Sequence, residues 1–322
     1  MKDKNIWQFI DNCLQQDILV TLLLVVVSEG SSPGRVGFKM AVAENGSLQG
    51  TIGGGTVEHR FVHEAQAKLK KRDFSPFCRR QIHNPQAETD LSGMVCGGMQ
   101  TVVLYPCQPN RDLVIVKQIL QIIEQQKSGV LHLSPSGMAL TLSQHNAANN
   151  QFQFAATNEW QYEENIGVFD TAYIVGGGHV GLALSRILAL LNFHIVVLDA
   201  RAELNTLQNN LDANEKRITS FHQIEPYIPD GLQNYVFIVT PNHRIDELVL
   251  RQLLNKKLGY IGLMGSVSKI NKIMQNLEKD GIPSTQLKKV HAPIGLPIKS
   301  HTPMEVAISI AAEVIAIKNS TT

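Results

Sequence analysis

The chain has 322 residues, of which 43% are hydrophobic and 18% are charged. Its 29 basic and 28 acidic residues give a formal net charge of +1, which predicts neither nucleic acid nor a membrane surface as a partner. The four cysteines do not make a secreted disulfide framework, and the length predicts about two globular domains.

The first strong pattern along the chain is the apolar run ILVTLLLVVV at residues 18–27. This run is well short of the ~20 residues that a transmembrane helix needs, so it predicts a buried strand. Acidic residues precede it and no small-residue cleavage site follows, so we expect a cytoplasmic protein without a signal peptide. Asn45-Gly46 then lies between two strand-like stretches and predicts a β-hairpin.

A helix is predicted after the glycine triplet at residues 53–55, because apolar residues recur there at every fourth position. Residues 110–140 predict a further helix and a strand. The stretch 142–169 is polar, with no clear strand or helix period, and we interpret it as a connection between domains. The predicted organisation is an N-terminal domain at 1–141, this connection, and a C-terminal domain at 170–322.

From Asp170 onward, predicted strands alternate with predicted helices. Such alternation is typical of βαβ units around a parallel sheet. The last helix opens with Thr302 as cap residue, Pro303 at the first helical position and Glu305 in the capping-box position. The predicted fold class is therefore α/β, with a doubly wound, Rossmann-like C-terminal domain and a strand-rich, mixed α/β N-terminal domain.

The C-terminal domain carries a dinucleotide-binding pattern between its first strand and first helix. The pattern consists of Gly176, Gly178 and Gly181, and Asp199 ends the next strand, where an acid that binds ribose belongs. His243 follows a later strand and is expected at the same sheet edge, as is Ser266, which is equally well interpreted as a helix cap. The glycines either allow a nucleotide to approach or are needed only for the turn and its packing. Arg201 lies two residues beyond Asp199, so the choice between NAD and NADP stays open.

The N-terminal domain offers a second glycine-rich loop, whose members are Gly53, Gly54 and Gly55. Its backbone donors suit an anion, although a tight strand-to-helix turn explains the glycines equally simply. Glu58 stands where a third glycine would be expected, either to bind a ligand or to complement the helix start. His59 and His63 share a helix face but lack the glutamate of a zinc motif, so no metal site is predicted among them. A G-x-S-x-G match at residues 30–34 lacks the following helix of a hydrolase elbow.

Among the cysteines, Cys96 is the candidate functional thiol, because it precedes Gly97-Gly98 at a predicted turn. Cys13 falls in a helical stretch, where cysteine usually serves as a small apolar residue. Cys78 lies beside Arg79 and Arg80, whose charges favour a lowered pKa, but no glycine turn presents its thiol. Cys107 sits near prolines, with no partner that the sequence identifies.

Taken together, these motifs resemble the xanthine dehydrogenase accessory proteins, the XdhC/CoxI family. The resemblance covers nearly the whole chain and rests on ordered segments: GSSPGRVGFKM at 30–40, GTIGGGTVE at 50–58, CGG at 96–98, VGGGHVG at 175–181, VTPNHRID at 239–246, YIGLMGS at 260–266 and the stretch 291–316. Where the family commonly has an arginine directly after GSSP, this chain has Gly34 and then Arg35. Either Arg35 or Lys39 is therefore the cation that faces a ligand.

The resemblance implies an accessory protein, with no catalytic residues of its own, that binds molybdenum cofactor (molybdopterin) as transient cargo. It would support sulfuration of the cofactor and its insertion into a xanthine dehydrogenase or related molybdenum hydroxylase, with a cysteine desulfurase as a further candidate partner and a homo-oligomer as the expected state. The glycine loop at 53–55 would suit the phosphate, and Cys96 the molybdenum. Two alternatives remain at this point: an NAD(P)-dependent oxidoreductase that uses the C-terminal domain, and an assembly factor whose glycine loops bind nothing.

Overall fold

The chain divides into two compact units, Met1–Val168 and Phe169–Thr322. The structure, a computed structural model, describes residues 3–82, 98–125, 127–142, 150–156, 159–167 and 170–320. Within those ranges, no helix combines the length and apolarity that crossing a bilayer requires.

The first unit is built from helices and antiparallel strands. Its helices are α1 (Lys4–Gln15), α2 (Gly55–Lys70) and α3 (Pro109–Glu124). Its strands are β1 (Val20–Glu29), β2 (Lys39–Ala43), β3 (Leu48–Gly50), β4 (Phe77–Ile82), β5 (Met99–Cys107), β6 (Gly129–Ser134), β7 (Gly137–Leu142), β8 (Gln151–Ala156) and β9 (Glu159–Ile166). This composition confirms the predicted strand-rich, mixed α/β class.

The predicted buried strand is β1, at the centre of a sheet whose described strands run in the order β3-β2-β1-β5-β4. β1 lies between two antiparallel neighbours. Consecutive residues 20–26 are all buried, so both faces of β1 are covered, which explains why its apolar run is continuous rather than alternating. On one face, Leu23 and Val25 pack with Phe61 and Ala65 of α2. β2 and β3 form the hairpin that Asn45-Gly46 predicts, with Gly46 at a φ of 90°.

The interpretation of 142–169 as a connection is wrong for residues 151–156 and 159–166, which form β8 and β9. These strands complete a second antiparallel sheet of order β7-β6-β9-β8 in the described residues. β9 does alternate, because Trp160, Tyr162, Glu164 and Ile166 are buried. The pattern is disguised because a glutamate takes an inward position, where its Oε1 lies 2.9 Å from Nζ of buried Lys39. Burial raises the pKa of Glu164, while Lys39 favours the charged form.

The second unit is a doubly wound parallel domain, as the sequence predicts. Its strands are β10 (Thr171–Val175), β11 (His194–Asp199), β12 (Glu215–Ile218), β13 (Gly231–Ile238) and β14 (Leu258–Leu263). Its helices are α4 (His179–Leu190), α5 (Asn205–Gln208), α6 (His243–Leu253), α7 (Val267–Lys279), α8 (Ser284–Leu287) and α9 (Pro303–Ser320).

The described strands of this unit are all parallel, in the order β12-β11-β10-β13-β14. The chain order therefore reverses between β10 and β13, which is where ligands of such sheets bind. Buried apolar clusters cover both faces. The predicted capping box opens α9, because Glu305 N–H donates to Thr302 Oγ1 and the Glu305 carboxylate accepts from Thr302 N–H.

Candidate functional site

Three glycine-containing segments that are far apart in the sequence meet in the first unit. They follow β1, precede α2 and precede β5. Gln100 of β5 is fully buried, and its Oε1 accepts hydrogen bonds from Ser32 Oγ at 3.0 Å and Gly34 N–H at 3.2 Å. We call the set Ser32, Gly34, Gly53, Gly98 and Gln100 the motif cluster.

The glycines of the motif cluster let backbone pack directly on backbone. A Cβ at Gly34 would lie 2.3 Å from the carbonyl oxygen of Ile52, and one at Gly53 would lie 2.5 Å from the nitrogen of Gly34. A Cβ at Gly98 would lie 2.5 Å from the nitrogen of Ser32. Side chains do not fit at these positions, so the glycines are required by close approach and not only by turn geometry.

Gln100 was not singled out in the sequence, although a polar residue inside an apolar strand is a usable signal. Its Nε2 is buried and has no hydrogen-bond partner among the described residues. An unpaired buried donor costs about 1–3 kcal/mol. The motif cluster therefore retains one donor that its own residues do not use.

Glu58 occupies the place that an anion was expected to take at the start of α2. Its Oε2 accepts hydrogen bonds from Ile52 N–H at 2.9 Å, Gly54 N–H at 3.1 Å and the Thr51 hydroxyl at 2.5 Å. Gly53 N–H donates to Thr51 Oγ1 at 3.1 Å. Of the two roles considered for Glu58, the structure shows the one that complements the helix start.

Gly54 and Gly55 remain at the surface of this loop, with φ angles of 78° and 70°. A Cβ at Gly54 would meet nothing within 4 Å, so this Cα faces open space. The structure also separates the two candidate cations. Lys39 is buried and paired with Glu164, whereas Arg35 is exposed, with Nη1 3.4 Å from the carbonyl oxygen of Gly30. Arg35 is therefore the cation that a ligand can reach.

Cys96 and Gly97 lie outside the described residues, so the candidate thiol stays a prediction. The expectation for Cys78 is wrong, because burial raises the pKa of its thiol to about 12. Its arginine neighbours do not oppose this effect: Arg79 pairs with Glu64 at 2.8 Å, and Arg80 Nε contacts the sulfur of Met99. No group of three or more metal-binding side chains occurs in the described part of the chain.

In the second unit, the glycine loop lies between β10 and α4, where the sequence places it. Gly176 has a φ of 120°, and a Cβ there would lie 2.6 Å from the carbonyl oxygen of Val239. A Cβ at Gly181 would lie 2.1 Å from the carbonyl oxygen of Gly176. Gly178 differs, because a Cβ there would meet nothing within 4 Å. Gly176 and Gly181 thus serve packing, and Gly178 leaves the start of α4 open to approach.

Asp199 is fully buried, and its own chain uses both of its carboxylate oxygens. Oδ2 accepts from Gly177 N–H at 2.8 Å and from Arg201 Nη2 at 2.7 Å, and Oδ1 accepts from Arg201 N–H and Nε, each at 2.9 Å. Burial alone would raise the pKa of Asp199, but these hydrogen bonds lower it below its usual value. We call the paired hydrogen bonds from the Arg201 guanidinium to the two Asp199 oxygens the Arg201 fork. A ribose would have to displace the Arg201 fork before it could hydrogen-bond to this carboxylate.

His243 is the first residue of α6 and is exposed. Because β10 and β13 are parallel neighbours, His243 lies at the same sheet edge as the glycine loop. Ser266 caps α7, since its Oγ accepts from Lys269 N–H at 3.3 Å. Asp246, which was not singled out in the sequence, is fully buried near this edge, with Oδ1 2.6 Å from Thr240 Oγ1 and Oδ2 2.5 Å from Lys269 Nζ.

We expect Asp199→Asn to lower the free energy of unfolding of the second unit by about 1–3 kcal/mol, because it weakens charged hydrogen bonds to Arg201 and Gly177. A carboxyl whose pKa falls on folding stabilises the protein above its unfolded pKa of about 3.9, and this stabilisation is lost as the pH falls through the folded pKa. The difference between the variant and the unsubstituted chain should therefore shrink below about pH 4.

Urea unfolding followed by far-UV circular dichroism measures this difference. Tryptophan fluorescence would not report on the second unit, because both tryptophans, Trp7 and Trp160, lie in the first unit. Asp212→Asn is the control, since Asp212 makes only a 3.6 Å surface pair with Arg186. Equal losses in the two variants would contradict the role given to Asp199.

Two family models match this chain. The XdhC Rossmann domain matches residues 172–314, and the XdhC and CoxI family matches residues 13–75. An uncharacterized protein of Escherichia coli, YqeB, is 26% identical over 307 residues, which are 95% of this chain but 45% of that protein. The chain thus spans a little under half the length of that relative.

A Bacillus subtilis protein described as a probable xanthine dehydrogenase subunit is 22% identical over 331 aligned positions, covering 97% of each protein. A solved structure described as a xanthine dehydrogenase from Bacillus halodurans superposes with a TM-score of 0.73 at 22% identity, covering 100% of this chain and 97% of that one. At this identity, the structural likeness concerns the fold.

Proposed function

Because the chain belongs to the XdhC/CoxI family, we propose that it is an accessory protein for a xanthine dehydrogenase or a related molybdenum hydroxylase. It binds molybdenum cofactor as transient cargo, supports its sulfuration, with a cysteine desulfurase as sulfur source, and hands it to the client enzyme. The name of the B. subtilis relative, which matches over 97% of both chains, supports an association with xanthine dehydrogenase.

The observation that carries this proposal is the meeting of the family's N-terminal motifs in the motif cluster. Segments separated by 66 or more residues, such as those of Gly34 and Gln100, are held together by hydrogen bonds that Ser32 and Gly34 donate to one buried carboxamide oxygen. A turn whose only role is to reverse the chain direction would not require these distant segments to meet. Around the cluster, the Cα of Gly54 faces open space and Arg35 exposes a cation, which suits a phosphate-bearing cofactor.

The backbone N–H donors of the loop before α2 are already used, and this bears on where the anionic group of the cargo binds. Glu58 already occupies the N–H groups of Ile52 and Gly54, and a phosphate there would face that carboxylate. We therefore propose that the phosphate binds an exposed arginine rather than the helix start. Cys96, two residues before Gly98 of the cluster, remains the candidate ligand for molybdenum.

Anaerobic co-production of the chain with a xanthine dehydrogenase tests the proposal. Molybdopterin should co-purify with the chain, measured as pterin fluorescence after oxidative release, and client activity should depend on the chain. A chain that carries no pterin and leaves client activity unchanged would overturn the proposal.

Gly54→Val is expected to reduce cofactor retention about tenfold, because a branched side chain would cover the exposed backbone at this position. Gly46→Val is the matched control: its φ of 90° is also positive, and a Cβ there also meets nothing within 4 Å. Both variants place a β-branched residue at a positive φ, and far-UV circular dichroism verifies that each is folded. An equal loss of retention in the two folded variants would show that backbone strain and not the covered surface is responsible.

The alternative function, an NAD(P)-dependent oxidoreductase, is favoured by the open approach at Gly178 but opposed by the Arg201 fork on Asp199. A calorimetric titration of the full chain with NADH and NADPH separates the two functions. Tight binding of either nucleotide would support the alternative, and heat changes equal to dilution would remove it.

A further inference from the structure

A cleft in the first unit has no role in the function proposed so far. It is a cavity of about 620 Å³ between β1, β4, β5 and β8. This volume lies within the range of about 300–1,000 Å³ that small-molecule sites occupy. We call it the sheet cleft and define it by six lining residues that carry its chemistry: Glu29, Cys78, Arg80, Met99, Phe152 and Phe154.

The floor of the sheet cleft is one face of the first sheet. Arg80 of β4 and Val27 of β1 are both register partners of Thr101 on β5, and Glu29 is the partner of Met99. Directly opposed residues project from the same face of an antiparallel sheet. Arg80 and Glu29 therefore share this face, with Cα atoms about 12 Å apart from the strand spacing and rise.

The opposite wall is aromatic. Phe152 and Phe154 are two residues apart on β8, with ring centroids 6.3 Å apart and an interplanar angle of 30°. Phe154 is 56% exposed, which is high for a phenylalanine that lines a cavity. Flat heteroaromatic rings gain affinity by stacking on such faces.

The charges of the sheet cleft are separated and uncompensated. Within the described residues, neither Arg80 nor Glu29 has an oppositely charged partner, whereas Arg79 is neutralised by Glu64 at 2.8 Å. A guanidinium suits an anionic substituent, and a carboxylate suits a ring edge that presents two N–H donors. The thiol of Cys78 stays protonated at neutral pH, because burial raises its pKa to about 12, so it does not supply a thiolate.

We propose that the sheet cleft binds the ring of an anionic pterin. The 2-amino-4-oxo edge faces Glu29, the anionic substituent faces Arg80, and the ring stacks on Phe154. This inference rests on the proposed function and assigns the organic part of the cargo to a site. The cleft borders the motif cluster, because Glu29 ends β1 just before Gly30 and Met99 follows Gly98. The 2-amino-4-oxo edge of the pterin thus lies at the end of the sheet cleft that adjoins the motif cluster.

Fluorescence titration of the full chain with pterin-6-carboxylate tests the proposal. Arg80→Gln should weaken binding of this probe about tenfold while leaving binding of unsubstituted pterin unchanged, because only the first has the anionic group. Phe154→Ala should weaken both about tenfold, since both rings stack. Glu29→Gln should weaken both pterins but not lumazine, which lacks the 2-amino group. Lys71→Gln, which removes an exposed charge elsewhere in the unit, should change none of these affinities.

Far-UV circular dichroism verifies that the variants are folded. Two results would overturn the cleft assignment and leave the proposed function standing. In the first, Arg80→Gln and Phe154→Ala bind the probe as the unsubstituted chain does. In the second, the unsubstituted chain does not bind the probe although molybdopterin still co-purifies with it. If the chain neither binds the probe nor carries molybdopterin, both are overturned.

Discussion

Gly34→Ala is expected to lower the free energy of unfolding of the first unit by about 3 kcal/mol or more, at the upper end of the range for overpacked sites. The added Cβ would lie 2.3 Å from the carbonyl oxygen of Ile52 and 2.7 Å from Oε1 of Gln100. Both atoms are fixed, the first as backbone and the second because it accepts two hydrogen bonds. Relief therefore requires the segments of the motif cluster to separate.

Urea unfolding followed by tryptophan fluorescence measures this loss, because Trp7 and Trp160 are both buried in the first unit. Gly46→Ala is the control, since it adds the same methyl group at a φ of 90° where nothing lies within 4 Å. That variant should lose about 1–2 kcal/mol from backbone strain alone. A loss in Gly34→Ala no larger than in Gly46→Ala would show that the cluster yields easily and is not a rigid assembly.

Most of the fold follows from local sequence signals. The continuous apolar run of β1, the Asn45-Gly46 hairpin, the alternation of strands and helices after Asp170 and the capping box at Thr302 each depend on neighbouring residues. Each is therefore readable without knowing tertiary contacts. The glycine-rich loops were located in the same way, because a glycine pattern between a strand and a helix is itself local.

The features that the sequence did not reveal depend on partners distant in the chain. β9 was missed because Glu164 takes an inward position, where its charge is compensated by Lys39, 125 residues earlier. The role of Gln100 depends on Ser32 and Gly34 in the same way. The Arg201 fork is a local contact, but it depends on which rotamer the arginine adopts beside Asp199, and the residue pattern does not fix that choice.

In each unit, a carboxylate of the chain accepts a backbone hydrogen bond from the glycine-rich loop, and this similarity bears on where a ligand binds. In the first unit, Glu58 accepts the N–H of Gly54, and in the second unit Asp199 accepts the N–H of Gly177. An internal carboxylate thus takes a donor that an anionic ligand would otherwise use. A glycine loop in this chain is consequently weak evidence for a phosphate site. Exposed cations, Arg35 and Arg80, are the better guide to where an anionic cargo binds.

Cys96→Ser is expected to reduce transfer of molybdenum cofactor to the client enzyme by at least about tenfold. Even the residues that only orient a metal ligand cost about 10–100-fold when they are removed, and a direct ligand costs no less. Molybdenum with a dithiolene is a soft centre, for which a thiolate is a better ligand than a hydroxyl group. Serine preserves the size of the side chain, so the fold of the turn should be retained.

The choice of Cys96 is strengthened by its neighbours and by the other cysteines. Gly98, two residues later, packs against Ser32, so the chain on the C-terminal side of Cys96 is anchored in the motif cluster. Cys13 and Cys107 are buried, and burial raises the pKa of each thiol, as it does for Cys78. These three favour the neutral thiol, which is a poor metal ligand.

Anaerobic reconstitution of a cofactor-free xanthine dehydrogenase, with the loaded chain as donor, measures transfer as recovered client activity. Cys13→Ala should transfer as the unsubstituted chain does, because Cys13 is a buried residue of α1. Full client activation by Cys96→Ser would assign the thiol a structural role. The metal end of the cofactor would then have to be held by oxygen or nitrogen ligands of the chain or by the client enzyme itself.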